Sequence, residues 1–352
     1  MEGEEVERLR EEARLLPRSD AAWPAENELE VVLPDSHKPA PFWAWILLVF
    51  SVLAFTSSGI VFSMMPEVPF LTLASWRLQA TSWLLLPPCL VELVLWTSAE
   101  TRCRILQSWG LLAANGVLLG THFGLWVLSL QLTSLPHAML FVTMSPAIVA
   151  LSSWVRGRPI SRGELAGTAL GVAGGALLAL TSVHHGGGGE RDPSWQGDAC
   201  ALAAASLFVI HLEMGRRLRS FTPMLTYSAV VTSLAAGVLV LGGTLLEGSG
   251  LLGDRRGHAS FGALQWLVDR RYIGKILILA ILPGIVGHVG FNTLIKHMDA
   301  LILTLAGSVE PLLGAWIGYA LGLVSAPPLL TYIGGFTVIT STVIVSIAGH
   351  FR

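Results

Sequence analysis

From residue 42 onward the chain alternates long apolar runs with short polar breaks. Ten runs stand out, at about 42–64, 69–96, 108–131, 135–155, 162–182, 196–214, 223–246, 273–295, 299–322 and 327–348. Each is near the ~20 residues that carry an α-helix across a bilayer. The second contains Pro87-Pro88, which predicts a tilt or kink. Between the seventh and eighth runs, Phe261 to Val268 reads as an interfacial helix or a loop. Residues 1–41 are polar, with only Val6, Leu9, Ala13 and Leu16 at helical spacing, and a solvated tail is the plainer expectation. Pro34, Pro39 and Pro41 separate that tail from the first run.

A few strongly polar residues interrupt this pattern where hydropathy places hydrocarbon. His288, Asn292 and Glu310 lie in 287–322, and His122 lies in the similar stretch 120–154. Such groups are expensive in lipid and belong against a bundle interior or a wet path. Composition agrees with the pattern: 53% of the 352 residues are hydrophobic, 13% are charged, and mean hydropathy is +0.63. Soluble domains carry about 25% charge. Net charge is −2, which gives nucleic acid no reason to bind. Cys89, Cys103 and Cys200 have neither metal-ligand nor secretory disulfide spacing. The acid-rich opening fits neither a cleavable signal nor a transit peptide.

The distribution of Lys and Arg predicts orientation. With a cytoplasmic N-terminus, the cytoplasmic side holds fifteen and the opposite side six, with Arg77 inside a span. Both termini are then cytoplasmic. The plasma membrane is the expected location, with organelle membranes left open.

The two halves also match each other. Pro69-Phe70-Leu71-Thr72 recurs as Pro223-Met224-Leu225-Thr226. Gly120-x-His122-x-Gly124 recurs as Gly287-His288-x-Gly290, Pro146 as Pro311, and Gly167 as Gly334. Five spans separate equivalents, so the second copy enters the membrane from the other side, as alternating access requires.

At these residues the chain resembles the EamA-type transporters of the drug/metabolite transporter superfamily. The matching pieces are His122-Phe123-x-x-Trp126-x-x-Ser129-Leu130-x-x-Thr133-Ser134, Ser145-Pro146, Gly197-Asp198, Gly215-Arg216-Arg217, Gly287-His288-x-x-x-Asn292 and Glu310-Pro311. The resemblance implies an all-α integral membrane protein of ten helices in two inverted five-helix repeats, around a central cavity for small metabolites. It divides the chain into a cytoplasmic tail (1–41), a first repeat (42–182), a Gly-rich loop (183–195), a second repeat (196–348) and a short C-terminal tail (349–352). The family often has Gly-Glu where this chain has Gly157-Arg158 and Gly322-Leu323, which puts any gating role of those acids in doubt.

The candidate cavity residues are Arg77, Asn115, His122, Trp126, Tyr227, His288, Asn292 and Glu310, with Pro146 and Pro311 as helix breakers. Arg77 suits an anionic group; snorkelling or a structural ion pair is the alternative. Glu310 precedes a proline and reads as a proton-binding or substrate group, or else as a carboxyl hydrogen-bonded across the bundle. His122 and His288 read as substrate-binding groups of a residue type able to titrate near neutral pH, though packing alone also explains a lone histidine. Asn292 shares the face of His288 and Asn115 that of His122. Trp76, Trp126 and Tyr227 read as aromatic cavity walls. His211 and Glu213 read as part of a surface charge cluster with Arg216 and Arg217. The stripes Gly167-x3-Gly171-x3-Gly175 and Gly314-x3-Gly318-x3-Gly322 read as close packing within one chain, and a homodimer is open.

No metal site, cofactor or enzyme activity is expected. His185 to Gly189 lacks the Gly-x-Ser-x-Gly partner of an esterase, and no Walker A sequence is present. The expected partners are a small solute, with a coupled proton open, and the bilayer. The expected function is export or exchange of small polar or amphipathic metabolites by alternating access. The alternatives left open are a sugar-phosphate or nucleotide-sugar transporter of the same superfamily, a non-transporting scaffold and, last, a membrane enzyme.

Overall fold

The computed structural model describes residues 40–133, 135–181, 194–251, 261–322 and 326–350. Most of the acidic tail, the glycine run 186–189, Arg255, Arg256 and Leu323 lie outside the described residues. Among these residues there is helix and no strand. Nine helical stretches have the length and composition of a bilayer crossing, so the chain is a multi-pass integral membrane protein.

The first helix, α1 (Phe42–Ser63), is followed by α2 (Phe70–Val91), which runs through Pro87 and Pro88 into a π-helical turn, Glu92–Trp96. A short helix, α3 (Ala99–Gln107), then fills what reads in the sequence as a loop; Ser98 caps it by accepting from the Thr101 N–H. Next comes α4 (Trp109–Leu132). The fourth apolar run is two helices rather than one, α5 (Leu135–Val142) and α6 (Ser145–Val155), with Pro146 in the first turn of α6. The fifth run forms α7 (Arg162–Thr181), 20 residues long and outside the set of nine.

The second half repeats this order. It comprises α8 (Trp195–Arg219), α9 (Met224–Leu246), and then α10 (Arg270–Leu279), which continues as a π-helical stretch, Ala280–Val289, into α11 (Gly290–Leu294). Pro283 lies inside the π stretch; a proline lacks the backbone donor, and a widened turn accommodates the loss. The ninth run is again broken, into α12 (Ala300–Gly307) and α13 (Glu310–Ala320), with Pro311 in the first turn of α13. The chain ends with α14 (Leu329–His350).

Two carboxylates tie α2 to α9. Glu247, just past α9, accepts from the Leu71 and Thr72 N–H groups at 2.8 and 2.9 Å and from the Thr72 hydroxyl at 2.7 Å. Glu92, just past α2, accepts from Leu225 N–H at 3.3 Å, Thr226 N–H at 2.7 Å and the Thr226 hydroxyl at 2.8 Å. Each acid satisfies donors that a helix start leaves unpaired and complements its positive end. Since the start of each helix meets the end of the other, α2 and α9 run antiparallel.

Glycines bring other helices together. A Cβ at Gly116 would stand 2.5 Å from Leu234 Cβ, and one at Gly120 2.7 Å from Val238 Cβ, so α4 packs directly on the α9 backbone. Gly174 of α7 and Gly334 of α14 face each other, each with the other's carbonyl oxygen 2.9 Å from where a Cβ would be. The stripe Gly167, Gly171 and Gly175 meets Val345, Ser341 and Thr143 of the same chain, so its packing is internal. Gly157 and Gly322 take left-handed φ values of 69° and 70° and close α6 and α13 at equivalent positions, a conformation that favours glycine.

The segment 261–268 is a single 3-10 turn, Gln265–Leu267, rather than a helix lying on the interface. It packs into α2: Trp76 Nε1 donates to Gly262 O at 3.0 Å, Gln79 Nε2 to Ala263 O at 3.0 Å, and Trp266 Nε1 to Gln79 Oε1 at 3.2 Å. Burying these indoles requires partners for their N–H groups, and the turn supplies and receives them.

Candidate functional site

The α2 helix carries Arg77 into the interior, where its side chain is 4% exposed. Nη1 donates to Ser58 Oγ of α1 at 3.3 Å, while Nε and Nη2 have no hydrogen-bond partner. The guanidinium lies over the Phe123 ring of α4, 5.4 Å from its centroid. Stacking on a ring accommodates part of the charge, but unpaired buried N–H groups remain costly. Arg77 does not snorkel, and no ion pair neutralises it among the described residues.

Glu310 opens α13 immediately after the break at Ser308-Val309. Glu310 is exposed to water-sized contact in the isolated chain. Glu310 and Arg77 are close enough for their charges to act on each other, without forming an ion pair.

The histidines line the same region. His122 Nδ1 is 2.8 Å from Ala204 O of α8. A carbonyl only accepts, so Nδ1 carries the hydrogen and Nε2 of the neutral ring is left as an acceptor. The ring stacks on Phe208, with centroids 5.0 Å apart. His288, in the π-helical stretch, packs edge-on against Phe55 of α1 at 4.6 Å and Phe123 at 5.4 Å. Trp126 lies one turn beyond His122 on the same side of α4 and is half-buried.

The remaining candidates form two separate networks. Asn115 Nδ2 donates to Tyr227 Oη at 2.7 Å, and Asn115 Oδ1 accepts from His211 Nδ1 at 3.0 Å. His211 is therefore a buried partner of Asn115, 3% exposed, and not part of the surface charge cluster. Glu213 does belong to that cluster, paired with Arg156. The two residues are only two apart, but in a helix that spacing turns one side chain to the opposite face. Asn292 Nδ2 donates to Ser228 Oγ at 3.1 Å, and its carbonyl accepts from Arg219 Nε at 3.0 Å. Arg219 is buried at the end of α8 instead of lying free in a loop. Trp76 is fully buried against Tyr272 and Phe261 and walls no cavity.

Arg77, His122, His288 and Glu310 thus converge with Phe55, Phe123 and Phe208 between the two halves of the chain. Among the described residues no three His, Cys, Asp or Glu side chains are grouped to hold a metal. Sequence reading missed Ser58, His211 and the aromatic partners. One signal was available: Phe55 and Phe208 stand at corresponding places in the first and sixth runs.

Residues 42–180 match the model of the EamA-like transporter family. A crystal structure described only as that of a protein superposes with a TM-score of 0.65, covering 87% of this chain and 96% of its own at 18% identity. At that identity the likeness concerns the fold alone. No curated protein matches the sequence.

Proposed function

We propose that the chain is a secondary transporter of ten spans in two inverted five-helix repeats, 42–182 and 196–348, exporting or exchanging small polar or amphipathic solutes that carry an anionic group. The antiparallel α2 and α9 with their reciprocal caps support the inversion. So do the equivalent breaks before Pro146 and Pro311. The contact of Gly167 with Ser341 and that of Gly174 with Gly334 are related by one shift along the chain, which carries Gly167 onto Gly334 and Gly174 onto Ser341. Rocking of the halves would open the cavity alternately to each side, with both termini cytoplasmic and the plasma membrane as the site of action.

One observation carries the reading: a buried Arg77 with two N–H groups unpartnered among the described residues, within charge range of the Glu310 carboxyl. An incoming anion would satisfy those donors bidentately. Glu310, within charge range of Arg77, would hold a coupled proton. The test is flux into proteoliposomes, with a panel of labelled carboxylates, phosphates and organic cations. Saturable flux of anionic solutes that Arg77→Leu abolishes in folded protein is expected. Cation flux that is indifferent to Arg77 would overturn the reading.

A further inference from the structure

Away from the polar centre, a groove of about 950 Å³ runs between α6 and α7 on the flank of the bundle. Ala147, Leu151, Trp154, Leu165, Ala169 and Val172 are among its walls. Trp154 is 69% exposed and Leu165 61%, so the groove opens sideways, toward where lipid chains lie. Its volume is near the top of the ~300–1,000 Å³ span of small-molecule sites, but the walls are apolar and hold none of the candidate transport residues.

At one end of the groove stands Arg158, in the turn after α6. Its guanidinium has no hydrogen bond or ion pair among the described residues, although the side chain is half-buried. Burial and the neighbouring Arg156 hold Arg158 below the ordinary arginine value, with Glu213 opposing and Arg216 and Arg217 adding to the effect. Glu213 is engaged by Arg156, and Asp299 by Arg216. The acids of this cluster are therefore used up, and positive charge remains at the lip.

We propose that this groove binds one anionic phospholipid, its phosphate against Arg158 and an acyl chain along Leu151, Trp154 and Leu165. An apolar channel open to the bilayer suits a chain, and an uncompensated guanidinium at its end suits a phosphate. A single molecule supplies both. The orientation proposed above places this end in the cytoplasmic leaflet, where anionic lipids are concentrated.

Trp154 reports occupancy. Wild type and Trp154→Phe are reconstituted in phosphatidylcholine containing brominated-chain phosphatidylglycerol, and in the reverse mixture; their difference isolates Trp154 quenching. The expected result is a preference of about fivefold for the anionic lipid, the worth of one interfacial cation. Arg158→Gln should bring it to parity and Arg158→Lys should keep most of it, with millimolar glycerol phosphate without effect. Equal quenching by both lipids in wild type, a preference that survives Arg158→Gln in folded protein, or displacement by glycerol phosphate would each overturn the proposal. The last would mark a soluble-anion site.

Discussion

The two halves place histidine alike and charge differently. His122 packs on Phe208 from the other half, and His288 packs on Phe55 from the other half. Where the first half has Arg77, however, the second has Val231, and where the second has Glu310, the first has Ser145. The scaffold is duplicated, whereas the charged chemistry is single-copy. On the proposed function, a two-fold scaffold would let the halves move as equals, and an asymmetric pair of charges would give the solute one preferred pose.

The sharpest test of this difference is Arg77→Leu beside Val231→Leu. Arg77→Leu should reduce flux to background, while thermal unfolding in detergent shows stability unchanged or raised by ~1–3 kcal/mol, because unsatisfied buried donors are removed. Marked destabilisation would instead make Arg77 structural. Val231→Leu should leave the flux within about twofold, a change worth less than ~1 kcal/mol.

Glu310→Gln against Ser145→Ala comes next. The first should lower the flux about tenfold or more, ~1.4 kcal/mol or beyond, and flatten its pH dependence. The second should change the rate by less than about twofold. Equal effects at both sites would mean that only the helix break matters.

Packing should respond less strongly and without regard to solute. Gly120→Ala places a methyl against Val238 and the Ala235 backbone and should cost ~1–3 kcal/mol in unfolding. Gly237→Ala meets nothing within 4 Å, so helix propensity should make it neutral or stabilising by ~0.5–1 kcal/mol. Smallest are the reciprocal caps. Glu92→Gln and Glu247→Gln should each cost ~1 kcal/mol, and nearly the same amount as each other. A large inequality would break the two-fold equivalence of α2 and α9.

Hydropathy alone located the spans, because crossing lipid needs a local run of apolar residues regardless of neighbours. It placed Phe70 and Met224 at helix starts after prolines, and Pro146 and Pro311 within corresponding runs. It could not show that those runs would divide into α5 and α6, or α12 and α13, since both fragments are equally apolar. Nor could it find Glu92 and Glu247 as caps, because each serves a helix more than a hundred residues away in the sequence.

Side-chain partners were less legible still. His211 and Glu213 read as one cluster because they are neighbours in the sequence, but helix rotation sends His211 to Asn115 and Glu213 to Arg156. Asn292 shares a face with His288 on an ideal helix, yet the π-helical stretch ending at Val289 alters that register and α9 offers it Ser228. The sequence by itself determined the membrane class, the recurrence of motifs between the halves and the presence of Arg77 and Glu310 within spans. Only tertiary structure decided that Arg77 is left with unpaired donors among the described residues and that Glu310 comes within charge range of it. Those properties depend on how helices distant in sequence rotate and pack, and no local pattern of residues encodes that.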